Sequence, residues 1–407
     1  MSQNLELEFL ELWFNEITAI DVSNNTALQF LDVDTNNLET IDLTSNVNLT
    51  ELFLFNNKLT AIDLSKNTSL VWLQIGNRTG LPNDNTFSTL NLKGLSELTS
   101  NQMTNMPSLG CVEVDDVSSD RVQAWSKDAT AYYSEDCSQP RATIPLFDAA
   151  FEEALIDAGH DDVIDLKMYK DVAENIKSLS INNKGISSLG GIEAFKALET
   201  LQADENDISV IDLSENKLLK TISLKENNLT AIDVSQNTAL TTLQVGFNQI
   251  ASIDLSNNPL LRTVGLFINQ LNVVDVSQNP EITFLDLTGN NLTTIDVTNN
   301  VKLRLFGLGD NNFSTINLSA NPELVQIELF NNNFTTVDFA VNTKLQGIRV
   351  DGNEMTSLDV SMMTVLTKMW ADRNTSLSCI KVNNVAAAEA QTDWQKDATA
   401  AYNTSCP

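Results

Sequence analysis

The residues that stand out for their chemistry are aspartates spaced 21 residues apart. The column consists of Asp212, Asp233, Asp254, Asp275, Asp296, Asn317, Asp338 and Asp359. If each belongs to one coil beside a parallel sheet, neighbours lie about 4.8 Å apart and repel by about 0.9 kcal/mol in water. Hydrogen bonds from nearby serines and backbone amides would offset that repulsion. A structural turn is the favoured role, with weak divalent-cation association and a specific ion site as the alternatives.

Other residue types capable of chemistry are scarce. His160 is the only histidine, so no serine–histidine–aspartate or cysteine–histidine set fits in the repeated part of the chain. Carboxylates are so abundant that their pairing along the sequence cannot single out two for glycoside hydrolysis. We therefore expect a protein without enzymatic activity, bound cofactor or metal site.

The net charge of the 407-residue chain is −30 at pH 7. Such an acidic protein is repelled by nucleic acid and by anionic membrane surfaces, whereas cations and basic partners are attracted. No segment is long and apolar enough for membrane insertion. Asp161, Asp162 and Asp165 suggest a calcium loop, but the segment lacks the glycine turn and the terminal glutamate of an EF-hand. A solvated acidic loop is the favoured interpretation.

The aspartates belong to a repeat that extends over most of the chain. An Ile-Asp-Leu or Ile-Asp-Val unit alternates with a Leu-x-x-Leu-x-Leu segment that ends in asparagine. Alternating apolar residues, such as Leu243 and Val245, predict strands with one buried side. The strict period predicts a solenoid in which each coil packs on its neighbours.

The asparagines of this repeat predict an internal polar ladder, because an amide both donates and accepts hydrogen bonds and satisfies the backbone of buried turns. They are Asn15, Asn36, Asn57, Asn206, Asn227, Asn248, Asn269, Asn290, Asn311, Asn332, Asn353 and Asn374.

Leu-x-x-Leu-x-Leu-x-x-Asn is the signature of leucine-rich repeats, and the chain resembles the 21-residue bacterial subclass of that family. Twenty-one residues divided between two turns leave no room for a helix of three turns. We therefore expect a leucine-rich repeat solenoid of parallel strands, with short extended segments on the convex side and small helical caps.

The repeats form two modules. The first is expected over residues 1–137, followed by a linker over 138–143. In the second, an N-terminal cap and first coil cover 144–197, repeats cover 198–376, and a C-terminal cap covers 377–407. Residues 76–83 interrupt the first module with a loop-forming run. The first module begins inside a coil, so we expect the chain to be a piece of a longer protein.

Two pairs of cysteines bracket related segments. Cys111 and Cys137 enclose residues 125–133, and Cys379 and Cys406 enclose the matching residues 394–402. Each pair is predicted to form a disulfide in a C-terminal cap, where a short helix and an aromatic side chain cover the last coil. Locally paired cysteines indicate an oxidising compartment. Two metal sites are the alternative, which the lack of nearby histidines disfavours.

Residues 147–159 predict an amphipathic helix, with Phe147, Phe151, Leu155 and Ala158 on its apolar side. This segment resembles the N-terminal caps of secreted repeat proteins from Bacteroidetes-type bacteria and, more distantly, the internalin cap. The resemblance implies secretion to the cell surface by the type IX route.

Aromatic residues occupy outward positions where the repeat requires only a solvated side chain, and such residues bring a large contact area at small entropic cost. In the first module these candidates for the concave face are Phe9, Trp13, Phe30, Phe53, Phe55 and Trp72, mixed with Glu11, Asp32, Asp34 and Glu51. In the second they are Phe247, Phe267, Phe284, Phe330, Arg349 and Trp370.

Three functions are compatible with this surface. The first is an extracellular recognition or adhesion module that binds a protein or peptide on its concave sheet. The second is a carbohydrate-binding surface that takes a glycan ligand. The third is a passive, rigid spacer in a large adhesin, against which the aromatic residues argue.

Overall fold

The computed structural model describes residues 4–78, 84–128 and 130–406. The chain divides into two compact units, Met1–Arg141 (unit 1) and Ala142–Pro407 (unit 2). The predicted solenoid is confirmed, since short parallel strands from successive coils pair in each unit.

Unit 1 contains two parallel sheets. Its elements are β1 (Phe9–Glu11), β2 (Phe30–Asp32), β3 (Glu51–Phe53), β4 (Trp72–Gln74), β5 (Thr89–Asn91), β6 (Ser100–Met103), β7 (Cys111–Glu113), α1 (Asp120–Gln123), β8 (Ser126–Lys127) and β9 (Tyr132–Ser134). The strand orders are β1-β2-β3-β4-β6-β8 and β5-β7-β9. Trp72 pairs with Ser100. The sequence separation between these partners is longer than between other paired strands of this sheet, because the loop-forming run of residues 76–83 lies between them. Residues 79–83 of that run lie outside the described residues.

Unit 2 begins with an antiparallel pair and continues as a long parallel sheet. Its elements are β10 (Thr143–Pro145), α2 (Ala149–Asp157), β11 (Lys167–Tyr169), α3 (Lys170–Ala173), β12 (Ser178–Ser180), a 3-10 turn (Ile192–Ala194), β13 (Thr200–Gln202), β14 (Thr221–Ser223), β15 (Thr242–Gln244), β16 (Thr263–Gly265), β17 (Phe284–Asp286), β18 (Leu305–Gly307), β19 (Gln326–Glu328), β20 (Gly347–Arg349), β21 (Ser357–Asp359), β22 (Lys368–Ala371), β23 (Cys379–Lys381), α4 (Val385–Glu389), β24 (Trp394–Lys396) and β25 (Ala401–Asn403).

Eleven strands of unit 2 form one sheet, β12 to β20 in sequence order followed by β22 and β24. From β12 to β20 the middle residue of each strand points inward, as Leu243, Val264 and Leu285 do in three paired strands. Burying a side chain of this size stabilises the fold by about 1.5–3 kcal/mol. The Ile-Asp-Leu segments are extended without regular strand pairing in most coils, and they pair only near the ends, in β5-β7-β9 and β21-β23-β25.

The predicted asparagine ladder is confirmed in both units except at Asn15, which is exposed and donates to the carbonyls of Leu12 (3.0 Å) and Trp13 (3.1 Å) in its own turn. The Asn269 side-chain amide donates to the carbonyls of Val245 (3.0 Å), Leu266 (3.1 Å) and Phe267 (3.3 Å). Its carbonyl oxygen accepts from the backbone amide of Ile250 at 2.9 Å. Each amide therefore joins its own turn to the coil before it.

A second asparagine ladder lies in the convex half of the repeat, after the Ile-Asp-Leu unit. The wholly buried Asn279 donates to the carbonyls of Leu255 and Asn258, both at 2.9 Å. The same bonds recur at 21-residue intervals from Asn216 to Asn342. Both sides of each coil are thus tied to the preceding coil by buried amides.

In each C-terminal cap an aspartate of the related segment replaces the ladder asparagine as the hydrogen-bond acceptor for the last turn. Asp128 accepts from the backbone amides of Asn105 (2.9 Å) and Met106 (2.5 Å) in unit 1. Asp397 accepts from those of Arg373 (3.0 Å) and Asn374 (2.7 Å) in unit 2. A carboxylate thereby satisfies the turn of the last coil, where no further coil supplies an asparagine.

The caps differ from the expectation in the position of their helices. Both α1 and α4 precede the related segments, which instead form β8 and β9 in unit 1 and β24 and β25 in unit 2. The reason is that β8 and β24 extend the main sheets by pairing with β6 and β22. The expected aromatic cover is present, because Trp125 is buried with its ring 6.3 Å from that of Tyr133.

Both predicted disulfides are confirmed. Cys111 is bonded to Cys137 and Cys379 to Cys406. They link the small convex sheets to the chain that leaves each cap.

The predicted N-terminal helix of unit 2 is shorter than expected. Asp148 caps α2 by accepting from the amides of Ala150 (2.8 Å) and Phe151 (3.2 Å). Phe151 and Leu155 are buried, whereas Phe147 is 65% exposed and precedes the helix. Ala158 is the exposed C-cap residue, so half of the predicted apolar side is not in the core.

The acidic loop beside this helix is organised by a buried carboxylate. Glu152 accepts hydrogen bonds from the backbone amides of Asp165 (3.0 Å), Leu166 (3.0 Å) and Lys167 (3.1 Å). Hydrogen bonds to this one carboxylate therefore hold the backbone of the loop against α2.

One core position of unit 1 carries a polar residue. Asn101 pairs with Leu73 in the sheet and stands in the buried column of Leu31 and Leu52. Both polar atoms of its amide are buried without a hydrogen-bond partner in the described part of the chain. Such a group costs about 1–3 kcal/mol, so this coil is a weak point of unit 1.

Candidate functional site: the concave faces

The outward side chains of unit 1 form two columns along its main sheet. Register pairs Phe9 with Phe30, Phe30 with Glu51, and Glu51 with Trp72 in the first column. The second column runs through Glu11, Asp32, Phe53 and Gln74. Alternation along each strand places the two columns on the same face.

Four aromatic rings from these columns form a continuous ladder, the aromatic ladder (Phe9, Phe30, Phe53 and Trp72). The centroids of Phe9 and Phe30 are 4.2 Å apart in a stacked arrangement. Phe53 is 5.4 Å from Phe30 and 5.6 Å from Trp72, with tilted planes. The ladder crosses from the first column to the second at Phe53 and returns at Trp72. Phe9 is 55% exposed, so a large apolar surface faces solvent.

Trp13, predicted to lie on the concave face, follows β1 and has an exposed side chain. It is 54% exposed and packs edge-on against Phe14, with ring centroids 5.9 Å apart. Phe14, which sequence reasoning missed, has a left-handed backbone with φ of 57°.

Phe55 does not face solvent, so this prediction is wrong. The side chain is only 1% exposed and the Arg78 guanidinium lies 4.7 Å above its ring. The left-handed turn at Asn56 follows directly and turns the chain off the sheet. Arg78 also forms an ion pair with the buried Asp34 at 3.1 Å. Burial, assisted by the neighbouring Asp32, raises the pKa of Asp34 to about 6, although Arg78 opposes the shift.

Of the aromatic candidates in unit 2, Phe247 is 43% exposed, and the others, Phe267, Phe284, Phe330 and Trp370, are partly buried. The candidates fall into two groups. Phe267 contacts Phe247 edge-on at 5.3 Å and lies over Gly246, where an added Cβ would come within 2.5 Å of the ring. Phe330 lies over Gly309 in the same way, at 2.2 Å. Both rings therefore pack on the backbone of the preceding coil as well as facing solvent.

Arg349 and Trp370 belong to the second group. The Arg349 guanidinium is 4.0 Å from the Phe330 ring centroid and 5.5 Å from that of Trp370. It pairs with Asp351 at 3.3 Å and with Glu328 at 3.9 Å. Stacking and ion pairing hold this cation in one position on the face.

Two depressions interrupt the concave face of unit 2 on either side of β19. One, of about 170 Å³, is bordered by Phe284, Asp286 and Gly307. The other, of about 320 Å³, is bordered by Gln346, Gly347, Lys368, Arg349 and Trp370. Gln326 and Glu328 border both. A glycine at an outward strand position is the sequence signal for these depressions.

The aspartate column takes the turn role. Asp254 accepts from the Ser256 amide at 2.9 Å, and hydrogen bonds from Ser256 lower the pKa of this exposed carboxyl. Asn317 accepts from the Ser319 amide at 3.1 Å and its hydroxyl at 2.8 Å, so the turn forms without a charge. Among the described residues, no group of three or more histidine, cysteine, aspartate or glutamate side chains could hold a metal ion.

No helix in the described ranges combines the length and hydrophobicity that crossing a membrane requires. His160, the lone histidine, is partly exposed after the end of α2.

The coils, the two asparagine ladders and the parallel sheets define a leucine-rich repeat solenoid. No family model and no curated protein matches the sequence. Among solved structures, the chain is similar to the functional domain of InlJ from Listeria monocytogenes, at 20% identity and a TM-score of 0.41, covering 97% of this chain and 73% of that chain.

Two further solved structures are similar. A leucine-rich repeat protein of Leptospira interrogans is 18% identical with a TM-score of 0.48, covering 97% of this chain and 85% of that one. Internalin C2 from Listeria monocytogenes is 21% identical with a TM-score of 0.45, covering 50% of this chain and 93% of that one.

Proposed function

We propose that the chain is a non-enzymatic recognition or adhesion module, secreted to the cell surface, that binds a protein or peptide on the concave face of unit 1. The observation that carries this proposal is the aromatic ladder. Its four rings contact one another across four coils while the repeat needs only solvated residues at these positions. Exposed aromatic side chains on a rigid sheet are typical anchors of protein interfaces. Two disulfides support an extracellular location.

The test is a change of Phe30 and Trp72 to serine. A random peptide library displayed on phage is first selected on the full chain with its disulfides intact. We expect the Phe30→Ser, Trp72→Ser variant to bind the selected peptides more weakly by about 2 kcal/mol or more. Its melting temperature should change little, because both rings face outward.

The matched control changes the buried neighbours. Leu31→Ala or Leu73→Ala removes a fully buried side chain and should cost about 2–5 kcal/mol of stability. If the serine variant unfolds unit 1, or if it binds the selected peptides as well as the parent chain, the proposal fails and the spacer role becomes the better explanation.

The depression at Gly347 favours carbohydrate binding as a second candidate function. A sugar ring presents C–H groups that pack on an aromatic ring and hydroxyls that bind planar polar side chains. Trp370, Gln326, Gln346 and Glu328 border the depression and supply both kinds of contact.

Gly347 gives a direct test of that second function. A Cβ there would meet only the Gln326 Cγ at 3.7 Å, and threonine occupies the equivalent position in β13 to β16. Gly347→Thr should therefore fold normally, gain about 0.5–1 kcal/mol of stability, and lose glycan binding measured on an array of neutral oligosaccharides. Thr242→Ser, on a distant strand, is the control. Unchanged array binding by Gly347→Thr would exclude this depression as the glycan site.

A further inference from the structure

Three carboxylates are placed among the rings of the aromatic ladder. Register puts Glu51 between Phe30 and Trp72 in the first column. In the second column Asp32 stands between Glu11 and Phe53. The exposed apolar surface is therefore interleaved with acidic groups rather than merely surrounded by them.

None of these three carboxylates forms an ion pair with a lysine or arginine in the described part of the chain. The strands β1, β2, β3, β4 and β6 contain neither lysine nor arginine. The nearest candidate, Arg78, is engaged with Asp34 at 3.1 Å and with the Phe55 ring.

In unit 2 several surface glutamates pair with a lysine of the next coil. A lysine 21 residues later, one coil further along the stack, pairs with Glu199, Glu281 or Glu323, in each case at 2.6 Å. On the face of unit 1 the residues one coil later are Asp32 after Glu11, Phe53 after Asp32, and Trp72 after Glu51. One coil after these carboxylates, where the glutamates of unit 2 have a lysine, unit 1 has another carboxylate or an aromatic ring.

Two of these carboxylates also repel each other in the free protein. Glu11 and Asp32 are register partners on adjacent strands, and strands of one sheet lie about 4.8 Å apart. Burial raises the pKa of Asp32 and the charge of Glu11 raises it further, while a hydrogen bond from the Asp34 amide and the charge of Arg78 oppose the rise. A cation delivered by a partner would relieve this repulsion.

We propose that the concave face of unit 1 recognises a basic polypeptide segment whose arginine or lysine side chains lie on the aromatic ladder. This inference rests on the proposed function. Arginine fits best, because its planar guanidinium stacks on a ring while its fork donates two hydrogen bonds to a carboxylate. The long aliphatic part of the side chain covers the apolar surface between the charges.

The phage-displayed random peptide library selected on the full chain provides the probe. The selected peptides should be enriched in arginine and lysine relative to the input library. A triple variant, Glu11→Gln, Asp32→Asn and Glu51→Gln, should bind them at least about tenfold more weakly, and the weakening of binding by added salt should be smaller than for the parent chain.

The control removes the same charge away from this face. Glu16→Gln, Glu39→Gln and Glu97→Gln alter three exposed carboxylates of unit 1 that lie outside its main strands and should change affinity less than about twofold. An equal loss in this control would show only general attraction to an acidic protein and would overturn the inference.

Two other results separate the inference from the proposed function. Selected peptides that depend on Phe30 and Trp72 but carry no excess of basic residues would leave the recognition function standing and overturn the basic partner. Selected peptides whose binding depends on neither Phe30 nor Trp72 would overturn both the recognition function and the inference of a basic partner.

Discussion

Replacing Asn269 by alanine should lower the free energy of unfolding of unit 2 by about 3 kcal/mol. The variant leaves the buried amide of Ile250 without the side-chain oxygen that accepts from it. The carbonyls of Val245 and Leu266 each lose one of two amide donors, because Asn248 and Asn290 also donate to them. Each buried backbone group without a partner costs about 1–3 kcal/mol, and the truncated side chain adds a cavity. Chemical denaturation followed by circular dichroism measures the loss, and hydrogen exchange of the Ile250 amide locates it.

A matched control is available three residues away. Asn272 is exposed and donates only to the Gln270 carbonyl at 3.3 Å, so Asn272→Ala should change stability by less than about 0.5 kcal/mol. Equal effects of the two substitutions, or continued protection of the Ile250 amide in Asn269→Ala, would contradict a role of the ladder in holding coils together.

The second large effect is expected from the C-terminal disulfide of unit 2. Changing Cys379 and Cys406 to alanine opens a loop with a sequence separation of 27 residues and should cost about 3–4 kcal/mol in the chain-entropy model. The loss should appear first in β23 and β25, which the bond adjoins, and then spread to the last coils of the main sheet. Denaturation of the oxidised parent and the double variant measures it.

Ser378→Ala with Ser405→Ala is the control, since both serines are exposed neighbours of the cysteines. The expectation would be refuted by a double cysteine variant that unfolds at the same denaturant concentration as this control.

The features that follow the repeat were predictable from the sequence. The strand positions, the buried leucines and the ladder at Asn269 depend on spacing alone, because each coil repeats the environment of the one before it. Phe9, Phe30 and Trp72 were recognisable as outward residues for the same reason. The disulfide pairs were predictable because the cysteines bracket two related cap segments.

The features that depend on contacts outside the repeat were not predictable. Phe55 is covered by Arg78, which follows the point where the regular period ends. The helices of the C-terminal caps precede Trp125 and Trp394 because continued strand pairing outweighs the local preference for helix in the segments that follow. Asn101 occupies a leucine position, and nothing in its neighbours along the chain signals that exception.

The asparagine ladders also determine how the protein can change in length. Every ladder amide reaches only into its own turn and the coil before it, as Asn269 does with Val245 and Ile250. Deletion or duplication of one complete coil leaves each remaining amide with an equivalent partner, whereas a change of any other length moves the amides out of alignment. Recombination can therefore lengthen or shorten the concave face in whole coils while each new junction folds as the old ones did.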